Sequence, residues 1–364
     1  MMVLFIRTAF MANTECSNTS NFKESQRAYT FLSYGMNISN CQFHRITSFK
    51  GDGGVLYSKI LNGEFIVIEK CIFDNCSADG DGGALFIDNR DSCIELKKLC
   101  AGKCYTKKYG SGQFCFCSNR YPKKCELWDS SFVICGVPER EVFSTVVFEY
   151  CLFYGASLNI SKSHSSVGSI MHFLSIVRIV IGLSTFVNTV SCGSSCFQDS
   201  SGSDNHMIQE CNIVNNTSNS SVLFINSCSC ILLRSCIFSL NNGCLFGLVN
   251  SFVTANDTFV DHKTKIVSLS QDSSFNDVNI SYKRAPTLVL DHFMTSFCYW
   301  KIDSHMNSST EAVSRISFLS QDSFAILAFG IAIIVLVLFI KKSVNYRSLE
   351  FDLQLSKNVL VEFG

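Results

Sequence analysis

Apolar and polar residues alternate in short runs along most of this chain, and one such run recurs. Ile38-Ser-Asn-Cys41-Gln-Phe43 returns as Ile68-Glu-Lys-Cys71-Ile-Phe73, Phe148-Glu-Tyr-Cys151-Leu-Phe153, Ile208-Gln-Glu-Cys211-Asn-Ile213 and Leu233-Arg-Ser-Cys236-Ile-Phe238. Each copy sets an apolar residue three before a cysteine and Phe or Ile two after it. The flanks, such as Phe65-Ile-Val-Ile68 and Ser144-Thr-Val-Val-Phe148, are β-branched or aromatic and predict strands. No segment before residue 320 carries a sustained helical apolar stripe between caps. The intervals between marker cysteines are uneven. Cys41 to Cys71 and Cys211 to Cys236 are short, whereas Cys71 to Cys151 and Cys151 to Cys211 are at least twice as long. The shorter intervals suit one coil of a parallel β-helix, and the longer ones several coils whose marker has drifted. Equivalent residues of adjacent coils then lie about 4.8 Å apart, so inward side chains pile into ladders that no coil buries alone. A propeller or sandwich needs hairpins, and Asn-Gly or Asp-Gly turns do not recur at regular intervals here. The predicted fold class is all-β, a parallel β-helix over residues 31–318.

Two glycine pairs fit the same picture. Gly51-Asp-Gly53-Gly54-Val-Leu-Tyr57 follows the first marker and Gly80-Asp-Gly82-Gly83-Ala-Leu-Phe86 the second. Asp-Gly-Gly supplies a turn with positive φ, and the apolar triplet after it starts the next strand. Asp52 and Asp81 are too few hard oxygen ligands for calcium, and no Lys-Ser/Thr follows the glycines as a phosphate loop requires. No cofactor or metal is predicted.

Gly82-Gly83-Ala-Leu85 resembles the GGA-[I/L/V] motif of the polymorphic outer-membrane proteins of chlamydiae, and Phe238-Ser-Leu-Asn241 resembles their F-x-x-N motif. Cys71-Ile-Phe-Asp-Asn-Cys-Ser77 with its glycine pair is similar to related surface proteins of parasitic protozoa. The resemblance covers residues 31–300 and implies a right-handed parallel β-helix displayed at a cell surface, with adhesion as its role. Valine replaces alanine at Gly53-Gly54-Val-Leu56, and Cys76 stands where asparagine is expected after Phe73. The C-terminal membrane barrel of the bacterial proteins is replaced by one apolar segment.

That segment, residues 324–340, contains no polar side chain. It predicts a transmembrane helix over 323–341, with Ser323 and the stem of Lys341 reaching the bilayer edges. Asp322 precedes it and Lys341, Lys342 and Arg347 follow, which places the 342–364 tail in the cytoplasm. A second apolar stretch, Ile170 to Val187, contains His172, Ser175 and Arg178 and is expected to form two rungs of the solenoid instead. Residues 1–30 are expected to hold a degenerate signal sequence or a shortened start, because Arg7 interrupts the apolar run.

Thirty basic and thirty acidic residues cancel, so no overall field draws nucleic acid. All 20 cysteines precede residue 300. Asn-x-Ser/Thr sequons occur at Asn18, Asn37, Asn75, Asn159, Asn215, Asn216, Asn219, Asn256, Asn279 and Asn307, with none in the tail. Both distributions suit a lumenal or extracellular ectodomain.

Residues 93–135 concentrate Cys93, Cys100, Cys104, Cys115, Cys117, Cys125 and Cys135 among lysines. Zinc sites usually pair cysteines with two residues between them, a spacing missing here, so a disulfide-stapled loop inserted in the β-helix is expected. The five marker cysteines are expected to be reduced core residues. An enzyme of the polysaccharide lyase or hydrolase kind would need clustered carboxylates. Only Asp52 and Asp81 hold equivalent places, and His44, His164, His172, His206, His262, His292 and His305 are scattered. Tyr346-Arg-Ser-Leu349 matches the pattern read by clathrin adaptors, so a receptor with an endocytic tail is a further alternative. The leading expectation is a single-pass surface glycoprotein, an adhesin or surface antigen, whose partners are the lipid bilayer and a host-cell, matrix or glycan ligand.

Overall fold

Short β-branched and aromatic runs form strands here, and every strand pairs with its counterpart one coil away, in parallel. In the computed structural model the described residues are 12–15, 21–23, 29–31, 35–49, 51–60, 65–136, 143–194, 196–200, 205–226, 230–261, 266–270, 272–282 and Cys298. All belong to one compact unit, Met1–Cys298. They form a parallel β-solenoid.

Three faces repeat in each coil. The first stacks Ala12–Glu15, Gly35–Ser39, Phe65–Glu69, Cys93–Lys97, residues 125–128 and 153–156, Arg178–Gly182, His206–Gln209, Ile231–Arg234, Phe252–Asn256 and Ser274–Asp277. The second runs from Asn21–Lys23 through Gln42–His44, Ile72–Asp74 and Cys100–Gly102 to Ile280–Ser281. The third runs from Tyr29–Phe31 through Leu56–Ile60 and Leu85–Asn89 to Val267–Leu269. Register steps are longer near the start, as at Met36↔Ile66, than near the end, as at Ala255↔Asp277, so the coils shorten toward the C-terminal end.

Strand alternation fills the lumen. Phe65–Glu69 buries Ile66 and Ile68 and turns Phe65, Val67 and Glu69 outward. Phe43 and Phe73, register partners on the second face, stack at 5.2 Å, and Phe114 and Phe132 extend the aromatic column. Buried aromatic pairs of this kind add about 0.5–1.5 kcal/mol beyond the area they bury.

The corners share one local rule. At most corners a residue with positive φ ends the strand, and the next residue turns inward. Between the first and second faces the positive-φ residues are Asn40, Lys70, Lys98, Asp129, Ser157, Leu183, Glu210, Ser235 and Asp257. The inward residues that follow are Cys41, Cys71, Leu99, Ser130, Leu158, Ser184, Cys211, Cys236 and Thr258, all buried. Where the inward side chain carries S–H or O–H, it donates to the carbonyl two residues back. Cys71 reaches Glu69, Ser130 reaches Trp128, Ser184 reaches Gly182 and Thr258 reaches Asn256. Cysteine is thus one solution among several for a small inward donor.

Four expectations are corrected. The first coil begins before residue 31, because Ala12–Glu15, Asn21–Lys23 and Tyr29–Phe31 already pair with the next coil. Backbone amides make such a ladder whatever the side chains, so the missing apolar pattern hid it. Residues 93–135 are not a loop insertion. Cys93–Lys97, Cys100–Gly102, Tyr105–Thr106 and Cys115–Val133 are in register with neighbouring coils. Cysteines share the interior there with Leu96, Leu99, Phe114, Leu127 and Phe132, which thins the apolar pattern but keeps the fold. The stretch Ile170 to Val187 is one turn rather than two, with Met171–Leu174, Arg178–Gly182 and Thr185–Val187 on its three faces. Finally, Cys151 pairs with Lys123 and follows Tyr150 at the corner between third and first faces, away from the other four markers. The same local rule applies there, which is why the phrase looks alike. Among the described residues no helix is long and apolar enough to cross a membrane. Residues 323–341, the tail with Tyr346 and Leu349, and Asn18 and Asn307 lie outside the described residues.

Candidate functional site

The outer surface of the third face carries the most distinctive arrangement of side chains. Tyr57, Phe86 and Phe116 are register partners that point outward on consecutive coils. Their rings stack at 5.3 and 5.2 Å with interplanar angles of 6° and 9°. The outward row two residues on holds Lys59, Asp88, Ser118 and Glu149. Lys59 and Asp88 pair at 3.5 Å. Burial pushes the Glu149 carboxyl up, a hydrogen bond from Ser118 draws it back down, and the charges of Asp81 and Asp88 raise it further. A stacked aromatic strip beside acids can contact apolar and hydroxyl or cationic groups together.

The glycine corners border this face. Gly53 and Gly82 have φ of 65° and 64°, and a Cβ on either would lie 2.0 or 2.1 Å from a carbonyl oxygen of its own turn. A third copy, Gly112 at φ 69°, escaped the sequence reading because Gln113 replaces the second glycine. The Gln113 amide fills that corner by accepting from the Thr106 N–H at 2.8 Å and donating to Thr106 Oγ1 at 2.9 Å. Asp52 Oδ1 accepts the Asp81 N–H at 2.9 Å, and Asp81 Oδ1 accepts the Ser111 N–H at 2.6 Å. Burial raises the Asp81 carboxyl, the Ser111 amide lowers it, and the Asp52 charge raises it again. These carboxylates brace successive corners through backbone amides. Among the described residues no group of His, Cys, Asp and Glu is arranged to hold a metal ion.

The histidines do not converge. His44 pairs with Asp74 at 3.5 Å on the second face. His172 points outward on the third face, where burial lowers it to about 4 and its Nε2 has no partner. Burial also lowers His164. His206 lies in the lumen, with Nδ1 accepting the Ile179 N–H at 3.0 Å and Nε2 3.3 Å from Asp199. Phe173, Ile179, Phe197, Ile208 and Leu223 surround that pair. Sequence reading gave no sign of it, because Asp199 and His206 belong to different strands. His262, His292 and His305 lie outside the described residues.

The sequons distribute unevenly. Asn37 and Asn256 are on the first face and Asn159 on the second, all partly exposed, while Asn75, Asn215, Asn219 and Asn279 are exposed at corners and connections. No sequon falls among the third-face positions that pair from coil to coil within the described residues. Asn216 is corrected as a glycan acceptor. It is fully buried, and its Nδ2 donates to the Phe186 carbonyl at 3.0 Å and to Asn241 Oδ1 at 3.1 Å. Its Oδ1 accepts the Thr189 N–H at 2.9 Å, which makes a ladder of Thr189, Asn216 and Asn241. This ladder is the structural meaning of the F-x-x-N phrase: the asparagine caps the corner between second and third faces.

Among the seven cysteines expected to staple a loop, Cys100 is disulfide-bonded, to Cys298. Cys93 is a free, exposed thiol, and Cys104, Cys115, Cys117, Cys125 and Cys135 are free and buried. Burial raises the thiols of Cys104, Cys117 and Cys125, and the neighbouring Cys104 thiol together with burial raises Cys135. Of the markers, Cys71, Cys151, Cys211 and Cys236 are free, whereas Cys41 is disulfide-bonded. Its partner lies outside the described residues. Most lysines of this region meet acids, Lys123 with Asp91 and Lys124 with Glu126, so they form no free basic patch. Comparison with protein-family models, with curated proteins and with solved structures returns no match.

Proposed function

We propose that this chain is a single-pass cell-surface glycoprotein that uses its right-handed solenoid for adhesion. Residues 323–341 would anchor it, with residues 342–364 in the cytoplasm. The observation that carries the reading is the placement of sequons around the coil. Glycans on Asn37, Asn75, Asn159, Asn215, Asn219, Asn256 and Asn279 would clothe two faces and their corners, leaving the third open. The open face bears the Tyr57, Phe86 and Phe116 strip with its acidic border. A flat, regular strip along several coils suits an extended ligand such as a matrix or glycan chain. The test is to display the full chain on cells, treat them with glycosidase, and measure adhesion to glycan and matrix arrays. We expect a mass shift on deglycosylation, retained adhesion, and at least a tenfold loss of adhesion in Phe116→Ser. Absence of glycans, or adhesion indifferent to Phe116→Ser, overturns the reading.

A further inference from the structure

Cys211 and Cys236 hold the same corner in directly successive coils. The residues after them are register partners, Asn212↔Ile237, and the Ile237 N–H donates to the Cys211 carbonyl at 2.9 Å. Both side chains are fully buried. Equivalent residues of neighbouring parallel strands lie about 4.8 Å apart, inside the roughly 4.4–6.8 Å Cα window in which disulfides form. The Cys211 S–H donates to the Gln209 carbonyl at 3.1 Å, and the Cys236 sulfur lies 3.4 Å from the Ile208 and Arg234 carbonyls, so both side chains point into the same corner of the lumen. Cys41, which occupies this corner in an earlier coil, is disulfide-bonded, though not to Cys71, its free counterpart in the next coil, so sulfur at this corner does enter disulfides. Cys71 has Leu99 rather than a thiol at the corner of the next coil, so it has no such continuation on that side.

We propose that Cys211 and Cys236 are an oxidation site, joined by a disulfide that clamps two consecutive coils. The oxidant is a small-molecule disulfide such as oxidised glutathione. One cysteine thiolate attacks it, forming a mixed disulfide and releasing one glutathione thiol. The second cysteine then attacks the protein sulfur of the mixed disulfide, the intramolecular S–S bond forms, and the second glutathione thiol leaves. The protein gives up two electrons and two protons, and one glutathione disulfide becomes two thiols. Because both sulfurs are buried in the finished coil, the exchange happens before residues 210–236 close. Its occurrence in the cell rests on the proposed lumenal and extracellular location, but its chemistry does not.

The experiment therefore uses a defined buffer. The full chain in detergent is refolded with reduced and oxidised glutathione, alkylated while denatured, digested without reduction, and mapped by mass spectrometry. The expected product joins the Cys211 and Cys236 peptides, two hydrogens lighter than the sum of the reduced pair. Cys211→Ser should leave Cys236 alkylated and still fold, since serine serves this corner at Ser130 and Ser184. Its Tm should fall by roughly 5–10 °C relative to the oxidised parent. Finding both cysteines alkylated, or either joined elsewhere, overturns the proposal whether or not Cys100 is joined to Cys298. Loss of surface display in cells with the linkage formed in buffer would instead count against the location alone.

Discussion

At the scale of single residues, the corner rule explains which substitutions this solenoid tolerates. At position 71 the inward thiol donates to the Glu69 carbonyl. Cys71→Ser should therefore cost no more than about 1 kcal/mol, whereas Cys71→Asp, which buries an unpaired charge, should cost at least about 3 kcal/mol. Denaturant unfolding of both variants decides this. Ile134 carries a β-branched side chain at φ 55°, a conformation that glycine adopts freely. Ile134→Gly is expected to raise stability by about 0.5–1 kcal/mol in the same assay, the reverse of the usual glycine effect. Asn216→Leu removes four side-chain bonds of the asparagine ladder and leaves the Thr189 amide and hydroxyl without that acceptor, for a loss of about 2–4 kcal/mol. His172 adds a pH dependence. Its folded value of about 4 lies below the ordinary 6.5, so the unfolded chain takes up the proton first. The stability this histidine contributes is complete above pH 6.5 and is lost as pH falls toward 4, by about 3 kcal/mol in all. Unfolding midpoints measured from pH 7 to 4 should fall less steeply in His172→Gln.

At the scale of the element, a strand here is stable only through its neighbours. Phe73 stacks on Phe43 in the preceding coil and touches Phe114 in the following one. Phe73→Ala should cost about 3–5 kcal/mol, because the column closes poorly around the space. Hydrogen exchange should show that loss spread over the coils on both sides rather than confined to Ile72–Asp74. The inward cysteines show why this level was only partly legible in the sequence. Phe43, Phe73 and Phe238 announced the second face, and the glycine pairs announced two of its turns onward. Cys115, Cys117 and Cys125 do the same packing in residues 93–135, yet a cluster of cysteines reads as covalent chemistry when the neighbours that bury them are unknown. Cys151 erred in the other direction. Its flanks match the other markers because Tyr150 and Cys151 obey the same corner rule, and nothing local says which corner it is.

At the scale of the whole molecule, the Cys100–Cys298 disulfide closes a sequence separation of 198 and ties the fourth strand of the second face to the chain beyond the last described coil. The chain-entropy argument gives a loop of this length about 5 kcal/mol at most. Cys298→Ser should lower the unfolding free energy by a few kcal/mol, and Cys100→Ser by a similar amount, with the double variant no worse than either. Strict additivity of the two single effects would show that the residues act separately. The lumen pair of His206 and Asp199 works at this scale as well, because it joins a third-face strand to the first-face strand that follows it, through an otherwise apolar interior.

The sequence by itself determined that these residues form short strands, that they repeat, and that the repeat winds as a parallel coil. Alternation and recurrence are local properties, and each coil writes them in its own residues. Only the tertiary structure decided which residues share a ladder, since the coils shorten along the chain and sequence distance no longer measures spatial register. It also decided that Asn216 is buried, that Cys41 and Cys71 part company chemically, and that Tyr57, Phe86 and Phe116 form one strip. Those properties arise between coils, where hydrogen bonds and packing join residues that lie a whole coil apart in the chain.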